Sequence, residues 1–310
     1  MKTVWAEATA AAIVMASFAG MALAGADDAR QDQPPEPAGA KWLSFGVDYT
    51  LASDYVWRGI NLSEYAGEGR EKLNHQMGVS FAVDTEPLVG TDLGTVTGSV
   101  WFAWYAGQDD TAFAGGSGHL QEVDYTLSWS RDVPGLPVTS EIGWIAYQFP
   151  QVGGDDAQWT HEVYVSLALD DEAVFGQDLL NPYVACYLDV DDVRATWIEL
   201  GVSHEFTAAD LGIDGIPGFE PLTLTPSLVL GIDHRYYDRS GVGGSGGTGT
   251  RLANLQYGLD AGYDLGAALG LPERYGSLTL NGFVRFSDAL HDAGPVGDEF
   301  WGGVTIAYGW

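Results

Sequence analysis

The stretch EVDYTLSWS, Glu122 to Ser130, alternates residue by residue. In an extended chain Val123, Tyr125, Leu127 and Trp129 share one face, and Glu122, Asp124, Thr126, Ser128 and Ser130 share the other. A strand lying on a soluble core alternates in the same way, so recurrence and length must separate the two cases. Comparable runs recur roughly twelve times, over 43–57, 75–84, 96–106, 121–131, 138–149, 159–169, 182–190, 196–206, 222–232, 254–265, 277–287 and 299–310. Most have about the nine to eleven residues that a tilted strand needs to cross a bilayer. Beyond the amino-terminal segment no run of about twenty apolar residues occurs, so helical spans are not expected.

The connections fall into two kinds. Those after odd-numbered runs are polar, Gly-rich and often acidic, as in GQDDTAFAGGSGHL, PQVGGDDAQ and RYYDRSGVGGSGGTGTR. The others carry Pro among apolar residues, as in DVPGLP, GIDGIPGFEP and ALGLPERYG. Two dissimilar sets of connections suit a barrel standing in a membrane, and a sheet in lipid must close because an open edge leaves backbone groups unpaired. The expected fold is therefore all-β, a transmembrane antiparallel barrel of about twelve strands. An even count puts both chain ends on one side.

The chain end repeats the argument. In GGVTIAYGW, Val304, Ile306, Tyr308 and Trp310 share a face and Gly303 lies on the other. An apolar stripe ending in an aromatic residue resembles the carboxyl-terminal assembly signal of bacterial outer-membrane barrels, which implies the barrel assembly machinery as a partner.

The other end reads as an export signal. Lys2 is followed by the apolar run AAAIVMASFAGMALA, and Ala22–Ala24 offers a small-x-small cleavage site. The expected organisation is a signal peptide over 1–24, a flexible tether over 25–40 (GADDARQDQPPEPAGA) and the barrel over 41–310. The 310 residues carry 13 Lys and Arg against 43 Asp and Glu, a formal charge of -30, which excludes a phosphate-binding face and hence a nucleic-acid partner. The abundance of Trp and Tyr argues against a disordered acidic chain. Cys186 is alone, so no internal disulfide is possible.

Alternation also assigns faces. Phe45, Val47, Tyr49 and Leu51 alternate with Gly46, Asp48 and Thr50; carried forward, that parity sends Tyr55 and Trp57 to the lipid side, in an upper aromatic girdle, and Asp54 and Arg58 to the lumen. The same rule directs Asp48, Glu122, Asp124, Glu162, Glu199, Asp260 and Arg285 inward, and Val123, Leu127, Val163, Val165 and Leu167 outward. Acids outnumber arginines on the expected lumen face, so a pore would favour cations.

No catalytic, cofactor or metal site is expected. The six histidines fall in no Cys/His cluster and no H-E-x-x-H pattern. His161 and Ser166, or Ser203 and His204, point opposite ways by parity, against a membrane-embedded hydrolase. DVDDVR at Asp189 and GGDD at Gly153 lack the order of a calcium loop and read as solvated acids.

The segment SDYVWRGINLSE from Ser53 is similar to the opening motif of the TorF-type family of Gram-negative outer-membrane porins, which begins Ser-Asp-Tyr, aromatic, Arg-Gly. EIGWIAYQFP, WTHEVYVSLAL, NPYVACYLDVDD and IELGVSHEF extend the resemblance over roughly half of the mature chain. The resemblance implies a porin class without a substrate. Together these readings lead to an outer-membrane channel for passive diffusion of small hydrophilic solutes, cationic or neutral, with outer-membrane lipid as its surroundings. The alternatives are a sealed structural or surface-interaction barrel and a membrane-embedded hydrolase.

Overall fold

A computed structural model describes residues 42–63, 73–105, 120–150, 158–239, 249–291 and 297–310. The expected signal peptide over 1–24, the tether over 25–40 and most of the loop around Gly243 lie outside them. The strands, in chain order, are β1 (Leu43–Ala52), β2 (Val56–Trp57), β3 (Ile60–Asn61), β4 (Asn74–Asp84), β5 (Thr95–Tyr105), β6 (Leu120–Asp132), β7 (Val138–Phe149), β8 (Gln158–Leu169), β9 (Tyr183–Asp189), β10 (Thr196–Ser203), β11 (Phe206–Thr207), β12 (Leu222–His234), β13 (Thr250–Asp264), β14 (Ser277–Ala289) and β15 (Glu299–Gly309). Every neighbouring pair is antiparallel, β1 pairs with both β4 and β15, and β10 pairs with β12, which closes a twelve-stranded barrel. The two-residue β11 extends the edge beside β12, and β2 and β3 form a separate ribbon.

Exposure along the wall is inverted relative to a soluble barrel. Leu127, Val163, Val165, Leu167, Leu259, Val284 and Ile306 are exposed, while Ser128, Glu162, Ser166, Arg285 and Ala307 are buried. In water such an outer face would cost about 25 cal/mol for each Å² of apolar surface, so hydrocarbon is its medium. This is a transmembrane barrel. Val123 departs from the expected outward set at 3% exposure. Its register partner Gln148 accepts a bond from Tyr125, which stacks on Trp159, an aromatic group beside the valine in the sheet.

Aromatic belts mark both ends of the wall. At the end bearing the long loops, His75 stacks on Trp104 at 5.7 Å between centroids and donates to or accepts from Tyr49, and His161 stacks on Trp144 and Trp159. At the terminal end, where β1 begins and β15 finishes, Trp129 Nε1 donates to the Leu93 carbonyl and Tyr308 Oη to the Tyr275 carbonyl, and Trp42 and Trp310 are exposed. Rings that are apolar with one polar edge suit the boundary between hydrocarbon and headgroups.

The turns at the terminal end share a local device. Asp84, Asp170 and Asp264 close β4, β8 and β13, and each side chain caps a one-turn helix: α1 (Thr85–Val89), α2 (Asp171–Phe175) and, further along, α4 (Leu265–Ala268). Gly90 and Gly176 then take left-handed conformations that end α1 and α2. These helices leave Leu88, Val89, Val174, Phe175 and Leu269 exposed. A fourth short helix, α3 (Tyr236–Arg239), lies at the opposite, loop end.

Candidate functional site

The site grows from the point where β1 stops. Ala52 is its last paired residue, and Ser53 ties the chain to β15, its N–H donating to the Gly302 carbonyl at 2.8 Å and its Oγ accepting from Gly302 N at 3.1 Å. The next residues leave the wall. Arg58 (φ 51°) and Gly59 (φ 78°) are the two central residues of a tight turn between β2 and β3. Positive φ at both is the type I′ geometry that matches the twist of a two-stranded ribbon. Arginine there costs about 1–2 kcal/mol of backbone strain, so the side chain must return at least that much. Leu62 N donates to the Tyr55 carbonyl, Tyr55 N to Ser63 Oγ, and Asn61 Nδ2 to Asp54 Oδ1, which makes Ser53–Ser63 a compact unit.

That unit fills the loop end of the barrel. Tyr55, Ile60 and Leu62 join Trp101, Ile145, Tyr147, Ala185, Tyr187, Trp197 and Ala253 of the wall, and Tyr236 and Tyr237 of α3, in one buried cluster. The expected lipid-side placement of Tyr55 and Trp57 is therefore wrong. Tyr55 is 2% exposed and packs on Trp101 at 5.5 Å, and Trp57 meets Tyr236 edge-on at 5.4 Å. The parity rule holds only while a strand stays paired; it lapsed at Ser53, and Arg-Gly is the signal that a turn follows.

Arg58 is the centre of the plug. Its two terminal nitrogens donate to Glu162 Oε1 and Oε2 at 2.7 and 2.9 Å, with side-chain exposures of 1% and 0%. Its guanidinium lies 4.4 Å from the ring centroids of Trp57 and Tyr236, 5.2 Å from Tyr187 and 5.5 Å from Trp197. Tyr147 Oη donates to the same Glu162 carboxylate at 2.9 Å, and Tyr237 Oη donates to the Arg58 carbonyl. A fork on a carboxylate fixes direction, and flanking rings add attraction that strengthens as water is excluded.

Two loops of the same end are held by buried aspartates. Asp233 accepts from Tyr236 N at 2.5 Å and from Arg251 Nε at 2.7 Å, which seats α3. Asp189 accepts from the N–H groups of Asp191, Val193 and Arg194 and from Thr160 Oγ1 at 2.6 Å. In DVDDVR the first acid is thus a buried loop-former and not a solvated one. GGDD at Gly153 lies outside the described residues.

The other expected lumen residues divide by level. Asp48, Glu122, Asp124 and Glu199 are all buried, at 2–4% exposure. Asp48 Oδ2 and Glu199 Oε2 have no hydrogen-bond partner in the structure, and the Glu122 and Asp124 side chains lie together, within bonding reach of each other. Glu199 Oε1 accepts from Trp197 Nε1 at 2.8 Å. Asp54 is 4% exposed but belongs to the plug, not to a strand. On the opposite wall Arg285 pairs with Asp260 at 2.8 Å. Below the plug the inner face carries Ser99, Ser128, Ser166, Ser203 and Thr279. Glycines leave room for rings there: a Cβ on Gly201 would lie 2.1 Å from Tyr183 Cε1, and one on Gly143 2.3 Å from Tyr164 Cε1. Ser166 is 6% exposed on the inner face, whereas His161 stacks in the outer aromatic belt, so the two do not meet. Among the described residues no group of three or more His, Cys, Asp or Glu side chains could hold a metal ion.

The class defined by this architecture is a membrane-spanning β-barrel with a polar, acid-rich interior and an aromatic plug. No family model matches the chain, and no curated protein matches it. Solved structures of similar shape include an outer membrane channel from Pseudomonas putida F1, with 9% identity and a TM-score of 0.46, covering 90% of this chain and 100% of that one. The translocator domain of the autotransporter NalP from Neisseria meningitidis has 11% identity and a TM-score of 0.38, covering 88% and 90%. OprB of Pseudomonas putida, at high pH, has 8% identity and a TM-score of 0.34, covering 86% and 94%. Likenesses this distant carry no argument about function.

Proposed function

We propose that the protein is a channel of the outer membrane of a Gram-negative bacterium, for passive diffusion of small hydrophilic solutes that are cationic or neutral. The observation that supports this reading is the inner wall. A barrel that serves only as a scaffold has no need of carboxylates such as Asp48, Asp124 and Glu199 inside it, where burial is costly, yet they line the face away from lipid. Among the described residues, Arg58, Arg251 and Arg285 are the arginines that meet interior acids. An excess of negative charge in a narrow passage concentrates cations. The resemblance of SDYVWRGINLSE to the TorF-type porins agrees with the class. The terminal residues Gly303, Val304, Ile306, Tyr308 and Trp310 would address the barrel to the assembly machinery, and the segment 1–24 would direct export.

A sealed barrel is the second reading, favoured by the aromatic cluster that packs the loop end. Single-channel recording of the purified protein in planar bilayers separates the two. Discrete conductance steps are the expected result. Absence of steps both for the native protein and for a variant with residues 54–62 replaced by Gly and Ser would establish the sealed barrel.

A further inference from the structure

The box around Arg58 is built from two separable parts. Glu162, Tyr147, Tyr187 and Trp197 belong to barrel strands, and Tyr236 belongs to α3, which Asp233 anchors to β12. Arg58 and Trp57 arrive on the β2–β3 ribbon, which makes no ladder with the wall. Remove the ribbon, and what remains is a carboxylate with a tyrosine hydroxyl bonded to it, walled by aromatic rings.

We propose that this wall pocket is a binding site for guanidinium groups of cationic solutes, and that Arg58 is its resident competitor. Three observations carry the inference. The first is fit: a planar cation is held by a two-point fork to Glu162, and the rings of Tyr236, Tyr187 and Trp197, which stay with α3 and the wall, lie 4.4, 5.2 and 5.5 Å from it. The second is surplus charge. Glu199, on the strand that carries Trp197, faces the same space with Oε2 unpartnered and the residue 4% exposed, so one arginine does not use all the acceptors. The third is the occupant's own imperfection. Arg58 Nε is buried without an acceptor, and its backbone sits at φ 51°, where arginine is strained. A free guanidinium has no strained backbone to hold, and exchange of tethered for free cation is chemically balanced: one fork breaks and an equivalent fork forms. The exchange frees the ribbon from its strongest polar tie. It rests on the channel reading for its purpose but not for its detection.

The test uses the full chain refolded in detergent, with methylguanidinium as probe, urea as its neutral planar counterpart and sodium chloride at matched ionic strength. In Arg58→Ala the pocket is empty of its cation. Methylguanidinium should change tryptophan fluorescence saturably and raise the melting temperature, urea and sodium should not, and Arg58→Ala/Glu162→Gln should weaken the response at least about tenfold. In the otherwise native protein, with Cys186→Ala and Leu62→Cys, the same probe should speed thiol labelling of the plug, which covers the case that Arg58→Ala does not fold. Equal responses to methylguanidinium and sodium, or a response unaltered by Glu162→Gln, would overturn the site. These outcomes do not depend on conductance. A saturable, Glu162-dependent response, with no current from the native protein or from the variant with residues 54–62 replaced, would uphold the site and reject the channel.

Discussion

At the scale of single residues, the plug depends on a few side chains whose removal has distinct consequences. Arg58→Ala leaves the Glu162 carboxyl without its cation in a site where both partners are almost fully buried. Breaking such a pair costs about 3–5 kcal/mol, whereas removing both charges costs much less. Urea unfolding in lipid vesicles should therefore show Arg58→Ala to be less stable than Arg58→Ala/Glu162→Gln. The reverse order would mean that the pair is solvated and the plug loosely held. Gly201 gives a second case. Any side chain there meets the Tyr183 ring lying across it, so Gly201→Ala should lose about 1–3 kcal/mol, and Gly201→Ala/Tyr183→Ala should recover part of it. No loss in the same assay would show that the ring simply moves aside.

At the scale of elements, the strands were legible and the plug was not. Alternation over Glu122–Ser130 or Trp159–Leu169 is written by two media, lipid outside and a polar lumen inside, and each residue obeys independently. It therefore survives without knowledge of the rest of the fold. The β2–β3 ribbon obeys no such rule, because both of its faces are buried against the wall and α3. What decides its course is the pair Arg58-Gly59, a turn signal that alternation reads straight through. Asp48, Glu122, Asp124, Glu162 and Glu199 are all buried, and the partner of Glu162 comes from 104 residues away, which no local pattern announces. The capped turns were readable in principle. An aspartate followed six residues later by glycine closes DTEPLVG, DDEAVFG and DLGAALG, and the spacing is that of an N-cap and a left-handed stop. A test of the ribbon follows from its turn. Gly59→Ala adds a Cβ 3.1 Å from Asn254 Cγ at φ 78° and should destabilise the barrel by about 1–2 kcal/mol. Labelling tests the walls: cysteines at Val163, Val165 and Leu167 in a Cys186→Ala background should react with a lipid-soluble probe, and one at Glu162 should not. Labelling of position 162 from lipid would invert the assigned faces of β8.

At the scale of the whole molecule, three features belong together: an apolar outer wall with aromatic belts, an acidic inner wall, and one cross-linked plug at the loop end. The last strand completes the cylinder, since β15 pairs with β1 and β14 and Phe45 exchanges backbone bonds of 2.8 Å with Trp310. Deleting Trp310 removes an exposed aromatic and the last two backbone bonds of the β1–β15 seam, leaving the rest of that ladder, so refolding in detergent should fall less than insertion in cells. Undiminished surface abundance would separate the terminal residue from assembly. The central claim is that the acidic interior is a route for solutes, and the reversal potential across a potassium chloride gradient tests it most directly. With the protein reconstituted at neutral pH and low salt, the potential should have the sign of cation preference and should shrink as salt rises and screening shortens toward a few Å. A potential of the opposite sign would contradict the assignment of the inner wall, and a membrane that stays silent even after the plug is cut away would contradict the channel itself.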